Sequence, residues 1–450
     1  MIRKNILAYF IASLILPWCL VAEELVVHLP VDNDKTYSVY LARMRPLQAE
    51  IEKTVYDTLV YDLKHSGRIS LLPIDENLQL LAFKDNPEDA FQVPKWKGAN
   101  ARFVIVPKMT KNELSIQVFD VHTATLKSLY PVPITGDLTK DLHNVHKCSS
   151  TIHTIMFNQP GVSSKRILYS YQPKVDPDSQ VWHAEIWEMD YDGKNARQVT
   201  EENHYTISPS FYPIESEDNN YHFMYVTYKQ GQPRIYIASR KSPKGKPLVP
   251  LRGNQLLPTF SKKGDKIAFI SDVGGKADLF MQSFNISRGV LGKPIQVYSF
   301  PGSVQASPSF SPDGSKLSFV CDKSGTPRIY IIDCASVVRD RKIPDAEVIS
   351  KKNRDNTAPC WSPDGKKIAY SARTNGVRQI WIYDIENKEE WQLTVGLGDK
   401  ENPSWAKDSF HLAYNTTSPT FDIFILNLNQ REPVKLTSGP GKKHYPTFEQ

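Results

Sequence analysis

The sequence predicts an α+β domain followed by an all-β six-bladed β-propeller of WD40-like repeats, closed by the C-terminal strand. Three observations carry this reading. A Pro-x-aromatic motif recurs, its aromatic being Phe211, Phe260, Phe310, Trp361, Trp405 and Phe448 in turn, at separations of 49, 50, 51, 44 and 43 residues. A period of roughly 40–50 residues is the spacing of four-stranded propeller blades. The chain holds 32 Pro against 22 Gly in 450 residues, which suits short strands joined by turns better than long helices. Ahead of the repeat the pattern changes: apolar residues there recur at helical spacing.

The N-terminus comes first. "MIRKN" is a basic start, "ILAYFIASLILPWCLV" an apolar run, and Ala22 a small residue before "EEL". This is the layout of an export signal, with cleavage expected near Ala22 (residues 1–22). No later segment is apolar enough to span a membrane. The formal charge of +6 falls to +4 once Arg3 and Lys4 leave, too mild to imply a polyanionic partner. The cluster Lys241, Lys244 and Lys246 reads as a solvated turn. Cys148, Cys321, Cys334 and Cys360 remain, with no C-x-x-C pair and no His at zinc-finger spacing; buried free thiols are expected.

Residues 23–160 predict a small α/β domain. "ELVVH" reads as a strand. In "RPLQAEIEKTVYDTLVYDLKHSG", Leu47, Ile51, Val55, Leu59 and Leu63 step by four along one helix face, and Gly67 ends the helix. Strands are expected at 68–72, 102–106 and 113–119, and a second helix at 138–156.

Residues 162–450 predict the propeller. Each unit opens with the Pro-x-aromatic strand, turns, and enters a short apolar strand such as Lys316-Leu-Ser-Phe319 or Lys367-Ile-Ala-Tyr370. A third strand follows with a central aromatic, as in Ile329-Tyr-Ile and Ile380-Trp-Ile, and then a weak polar fourth. The repeated "SPDG" resembles a catalytic or metal motif but reads as hairpin chemistry. Pro fixes φ for a tight turn, Asp bonds its own backbone, and Gly supplies positive φ. Other units replace it with "SKKG" and "AKDS", which a turn tolerates and a reaction centre does not. A further set of strands at 166–169, 185–189 and 197–200 lacks the Pro-x-aromatic strand, whereas "HYPTFEQ" at the C-terminus has only that strand. The two are expected to combine into the sixth blade and leave no open edge.

Chemistry-bearing motifs are scarce. There is no G-x-S-x-G, H-E-x-x-H, Walker loop or G-x-G-x-x-G. His143 and His146 are three apart on one helix but have no third ligand nearby in sequence. Asp190-Tyr-Asp192-Gly193 resembles the start of a calcium loop but lacks its closing Glu, and reads as a turn. Asn285-Ile-Ser287 and Asn415-Thr-Thr417 match glycosylation acceptors of a eukaryotic route. No cofactor or metal is expected.

The export signal, the α/β domain and the "SPDG" repeats in this order, with "VYDTLVYDLKHSGRISLLP", "WKGANARFVIVPKM", "LSIQVFDV" and "EIWEMDYDGKNARQVT", resemble the TolB family over nearly the whole chain. The resemblance implies a monomeric, non-enzymatic periplasmic adaptor of the Tol–Pal envelope system, supporting outer-membrane integrity and constriction at division. It implies a Pal-like peptidoglycan-associated lipoprotein bound at one mouth of the propeller channel. It further implies a TolA-like inner-membrane protein engaged by the mature N-terminus, here Glu23, Glu24, Leu25, Val26, Val27 and His28. The mouth residues beside each Pro-x-aromatic motif are Ser208, Asn254, Leu257, Ala306, Ser307, Asn356, Thr357, Glu401, Asn402, His444 and Tyr445. The family carries an acidic residue where this chain has Ser307. The competing reading is a periplasmic propeller hydrolase or lyase with its active site in the channel; a prolyl-oligopeptidase-type hydrolase would need an appended catalytic domain for which no residues remain.

Overall fold

A computed structural model describes residues 36–44, 50–174, 183–214, 220–335, 345–429 and 433–450. The export signal, the strand expected at "ELVVH" and the segment from Glu23 to His28 lie outside the described residues.

The N-terminal domain is a mixed sheet with helices on both faces. Its strands are β1 (Tyr37–Leu41), β2 (Ile69–Leu71), β3 (Phe103–Met109), β4 (Glu113–Asp120), β5 (Thr125–Ser128) and β6 (Val132–Pro133). The order is β2-β1-β3-β4-β5, with β6 also pairing β4. Strand side chains alternate between faces. Val39, Leu41, Phe103 and Ile105 therefore meet one helix layer, formed by α1 (Glu50–Lys64) and, last in the domain, α5 (Leu138–Phe157). Tyr40, Val104 and Val106 face the other way, onto Trp96 of the short helices α2 (Glu76–Ala82), α3 (Pro87–Ala90) and α4 (Val93–Gly98). A sheet covered on both faces explains the unbroken apolar run "FVIV". The sequence reading anticipated α1, α5, β2, β3 and β4, but not β1, β5, β6 or the short helices.

The propeller has six four-stranded sheets, and the sixth joins the C-terminal strand Lys442–Phe448 to Arg166–Gln172, Glu185–Asp190 and Arg197–Gln198. Asp190 to Lys194 form the hairpin between the last two of these strands, with the Gly193 N–H donating to the Asp190 carbonyl. The "SPDG" Asp residues close hairpins. Asp313 accepts from the Ser315 backbone N–H at 3.0 Å and from the Ser311 hydroxyl at 2.6 Å. Asp364 repeats this with Lys366 and Ser362, and Gly314 and Gly365 have φ of +71° and +76°. Cys148, Cys321 and Cys334 are buried free thiols, and Cys360 is a half-buried one.

The N-terminal domain sits on the hairpin end of the ring. The Asn429 amide donates to the Gly67 carbonyl at 2.9 Å, Arg68 lies over the Phe410 ring, and His411 meets the His65 carbonyl. On the same end, Gly193 (φ +86°) lies against Leu436 so closely that a Cβ would fall well inside contact distance of the Leu436 carbonyl oxygen. The Gly193→Ala variant is therefore expected to lose about 2 kcal/mol or more, from left-handed strain and the backbone clash together. Urea unfolding measures this; a midpoint equal to that of the parent chain refutes it.

Candidate functional site: the open mouth of the channel

Each innermost strand runs from the open mouth toward the hairpin end. The six residues that precede the motif prolines are Ser208, Leu257, Ser307, Ala358, Asn402 and Tyr445, and all have φ between +48° and +54°. At each one the pairing with the next strand slips, as between Ile207 and Ser210 or Ala306 and Ser309. The result is a β-bulge repeated around the whole ring. Left-handed backbone at a non-glycine residue costs about 1–2 kcal/mol. The flanking strands hold it in place: the Ser309 hydroxyl accepts the Trp361 N–H of the next blade at 3.1 Å, and Ser404 does the same for Phe448.

The predicted mouth residues thus lie mainly within the first half of the innermost strands, on the channel wall, rather than in the loops. Leu257, Ala306, Ser307, Thr357, Asn402, His444 and Tyr445 are part-exposed there, and Ser208 is nearly covered. Asn254 lies in the loop ahead of its strand, tied to Asp272 by its N–H at 2.7 Å and its amide at 2.6 Å. Asn356 is a correction: it is fully buried, and its amide donates to the carbonyls of Asn353 at 2.9 Å and Pro327 at 3.2 Å. It anchors a loop and presents nothing to a docked partner.

The wall between the fourth and fifth blades carries charge. Arg378 reaches Asp355 at 2.7 Å and Glu401 at 3.4 Å, and Arg373 reaches Asp355 at 2.9 Å. Burial raises the Glu401 carboxyl above its usual range, and Arg378 opposes that. On the neighbouring wall, burial and Lys442 push His444 down to about 4, so it is neutral at pH 7. Burial lifts Tyr445 to about 12, with Tyr205, Glu401 and Tyr228 adding to it. No sequence signal marked Asp355, Arg373 or Arg378. Asp355 sits just ahead of the innermost strand of the fourth blade and the two arginines on its next two strands, so only the folded sheet brings them together, and Arg378 alone reaches across to Glu401 of the fifth.

The open end also exposes apolar side chains. Among the described residues these are Val273, Phe300, Val304, Val395 and Leu397, the last two at 62% and 91% exposure. All five lie in loops that cap this end.

At the hairpin end, the two features read separately from sequence come together. His146 of α5 meets the Asp190–Gly193 hairpin: its Nε2 is 3.6 Å from Asp192 Oδ2, and its Nδ1 is 2.9 Å from Asp62 Oδ2 of α1. Burial opposes charge on His146, but the two carboxylates outweigh it and raise the ring to about 10. His143 is not part of this group; burial lowers it to about 4.

The family model described as TolB beta propeller domain matches residues 155–343. The protein named Protein TolB homolog from Protochlamydia amoebophila (strain UWE25) is 42% identical over 384 residues, spanning 84% of this chain and 82% of its own. Its namesake from Chlamydia caviae is 36% identical over 368 residues, spanning 76% and 82%. The crystal structure of TolB from Acinetobacter baumannii shares the fold, with a TM-score of 0.71 and 21% identity over 93% of this chain and 97% of that one. Similarity of this extent, across the α/β domain and the ring alike, makes the chain a member of the TolB family.

Proposed function

We propose that the chain is a non-enzymatic periplasmic adaptor of the Tol–Pal system that binds a Pal-like peptidoglycan-associated lipoprotein at the open channel mouth. The observation that carries this reading is the asymmetry of the ring. One end is covered by the N-terminal domain, whereas the other exposes Val395, Leu397, Phe300, Val273 and Val304 around a rigid bulged wall. Exposed apolar residues rimmed by polar groups suit a protein partner. The Asp355, Arg373, Arg378 and Glu401 charges pair with one another, which suits a contact surface better than a reaction centre. The segment from Glu23 to His28 would engage a TolA-like inner-membrane protein once the signal is cleaved near Ala22. Among the described residues no helix is long and apolar enough to cross a membrane.

Crosslinked envelopes should yield a lipoprotein with an OmpA-like domain on pull-down. Reversing Glu401 to Lys together with Ser307→Arg should weaken that complex at least tenfold, about 1.4 kcal/mol. Leu397→Asp should do the same, while Ile214→Asp at the hairpin end should leave affinity unchanged. Equal affinity in the mouth variants would sink the mouth assignment. Repeated failure to recover any such lipoprotein with folded bait would sink the adaptor reading itself.

A further inference from the structure

We propose that His146, Asp190 and Asp192 form a binding site for one divalent transition-metal ion of the zinc class, at the seam between the N-terminal domain and the sixth blade. A nitrogen donor and two carboxylate donors lie within 4.8 Å of one another there. That set suits zinc or manganese.

Two buried atoms that make no hydrogen bond set the cluster apart from an acidic patch. His146 Nε2 and Asp192 Oδ2 belong to side chains only 1% exposed, and neither makes a hydrogen bond. Their separation of 3.6 Å is too long for a good hydrogen bond. It is close to the spacing of two ligands on one ion, since donors about 2.1 Å from a tetrahedral centre lie roughly 3.4 Å apart. The other ring nitrogen is already committed. Nδ1–H faces both oxygens of Asp62, at 3.0 and 2.9 Å. A carboxylate behind a histidine fixes the ring's orientation and strengthens Nε2 as a ligand once its proton has been displaced.

The carboxylates are equally well placed. Asp192 Oδ1 accepts the Lys194 N–H at 3.0 Å, which leaves Oδ2 aimed at the ring. Asp190 Oδ2 is held by the Asn195 amide at 2.6 Å. The hairpin carrying both cannot drift, because Gly193 is packed on the Leu436 backbone. Without an ion, the Lys194 ammonium at 3.1 Å shares the charge of Asp192, but that side chain is 49% exposed and free to swing into solvent. Asp62, Asp190 and Asp192 place three carboxylates near His146, with the exposed Lys194 and with Arg166 acting on Asp190. A divalent cation held between His146, Asp190 and Asp192 would replace the Nε2 proton and the Lys194 ammonium as their counter-charge. The ion would join α5 to the propeller through coordination bonds.

The test uses the full chain stripped with a chelator and then dialysed against Zn2+ alone. One ion per chain is expected, with a thermal midpoint that climbs with free Zn2+ by mass action. Asp192→Asn and His146→Gln should each remove the bound ion. Asp62→Asn, which acts through His146, should weaken binding about 10–100-fold while keeping the stoichiometry. Co2+ on the unaltered chain gives a reading free of folding defects: visible d–d bands of a nitrogen–oxygen site support the proposal. Stripped parent chain that takes up no Zn2+ and shows no Co2+ bands overturns it. So does uptake that is unchanged in the folded Asp192→Asn chain, which would place the ion elsewhere.

Discussion

A chain lacking residues 442–450 is expected to fail to form a soluble closed ring. These residues supply the innermost strand of the sixth blade, paired with Arg166–Gln172 from Lys442 opposite Gln172 to Phe448 opposite Ile167. Phe448 is fully buried in the cluster that includes Ile167, Tyr169, Ala406 and Ala413. Beyond it, the Gln450 amide donates to the Trp405 carbonyl at 2.9 Å, binding the strand to the fifth blade. Removing the segment exposes the edge of Arg166–Gln172 and the apolar flank of the fifth blade at once. An unpaired edge beside apolar surface is a template for aggregation. The single substitution Phe448→Ala separates packing from pairing. It should leave a folded monomer that has lost about 3–5 kcal/mol, the usual cost of emptying a buried aromatic site. Gel filtration and urea unfolding read both variants. A truncated chain that stays monomeric with the parental midpoint would show that closure contributes nothing.

The ring was legible in the sequence because its evidence is periodic and local. Six Pro-x-aromatic motifs and the split between the strands near residue 166 and "HYPTFEQ" fix both the blade count and the closure. The hairpins were legible for the same reason, since Ser311, Asp313 and Ser315 bond only to each other and to nearby backbone. The bulges were not. Leu257 and Tyr445 give no sign of left-handed backbone, because the pairing of the neighbouring strand imposes it. The short helices were missed because each spans at most seven residues, too few for a periodic signal, although the caps Asp75 and Asn86 and the adjoining Pro87 mark two of them. The seam depends on contacts between distant residues. Asp62 and His146 stand 84 positions apart. His146 and the Asp190–Gly193 turn each read as inert alone; the packing of α1 on α5 brings Asp62 to His146, and the docking of the N-terminal domain on the propeller adds Asp192.

Asp408→Ala is expected to cost about 3–5 kcal/mol, because it leaves a buried cation without its counter-charge. Asp408 occupies the turn position held by the "SPDG" aspartates, and it closes its hairpin in their manner, accepting the N–H groups of Phe410 and His411 at 3.0 Å. In this blade the second carboxylate oxygen also takes His411 Nδ1 at 2.6 Å, while Nε2 meets the His65 carbonyl at 2.9 Å, just past the end of α1. Both neighbours are acceptors, so both ring nitrogens must carry protons and the ring is an imidazolium. Burial works against that charge, but Asp408 and the His65 carbonyl outweigh it, and the His411 pKa is raised above 6.5. A cation at a helix C-terminus is favoured further by the helix dipole. The sign of the pH effect follows. A raised histidine contributes its full stability below pH 6.5 and loses it as pH climbs through the folded-state value. Asp408 is shifted the other way, so its share fades only in acid, below 3.8. Asp408→Asn discriminates between charge and shape. Its amide can donate to a neutral Nδ1 while Nε2–H still reaches His65, so the hydrogen bonds survive and the ion pair does not. It should therefore lose less than the Ala variant, about 1–2 kcal/mol, and should flatten the decline in stability from pH 6.5 to 9. Urea midpoints across that range decide the matter: an Asn variant that declines in parallel with the parent would mean that the His411 proton does not hold the two domains together.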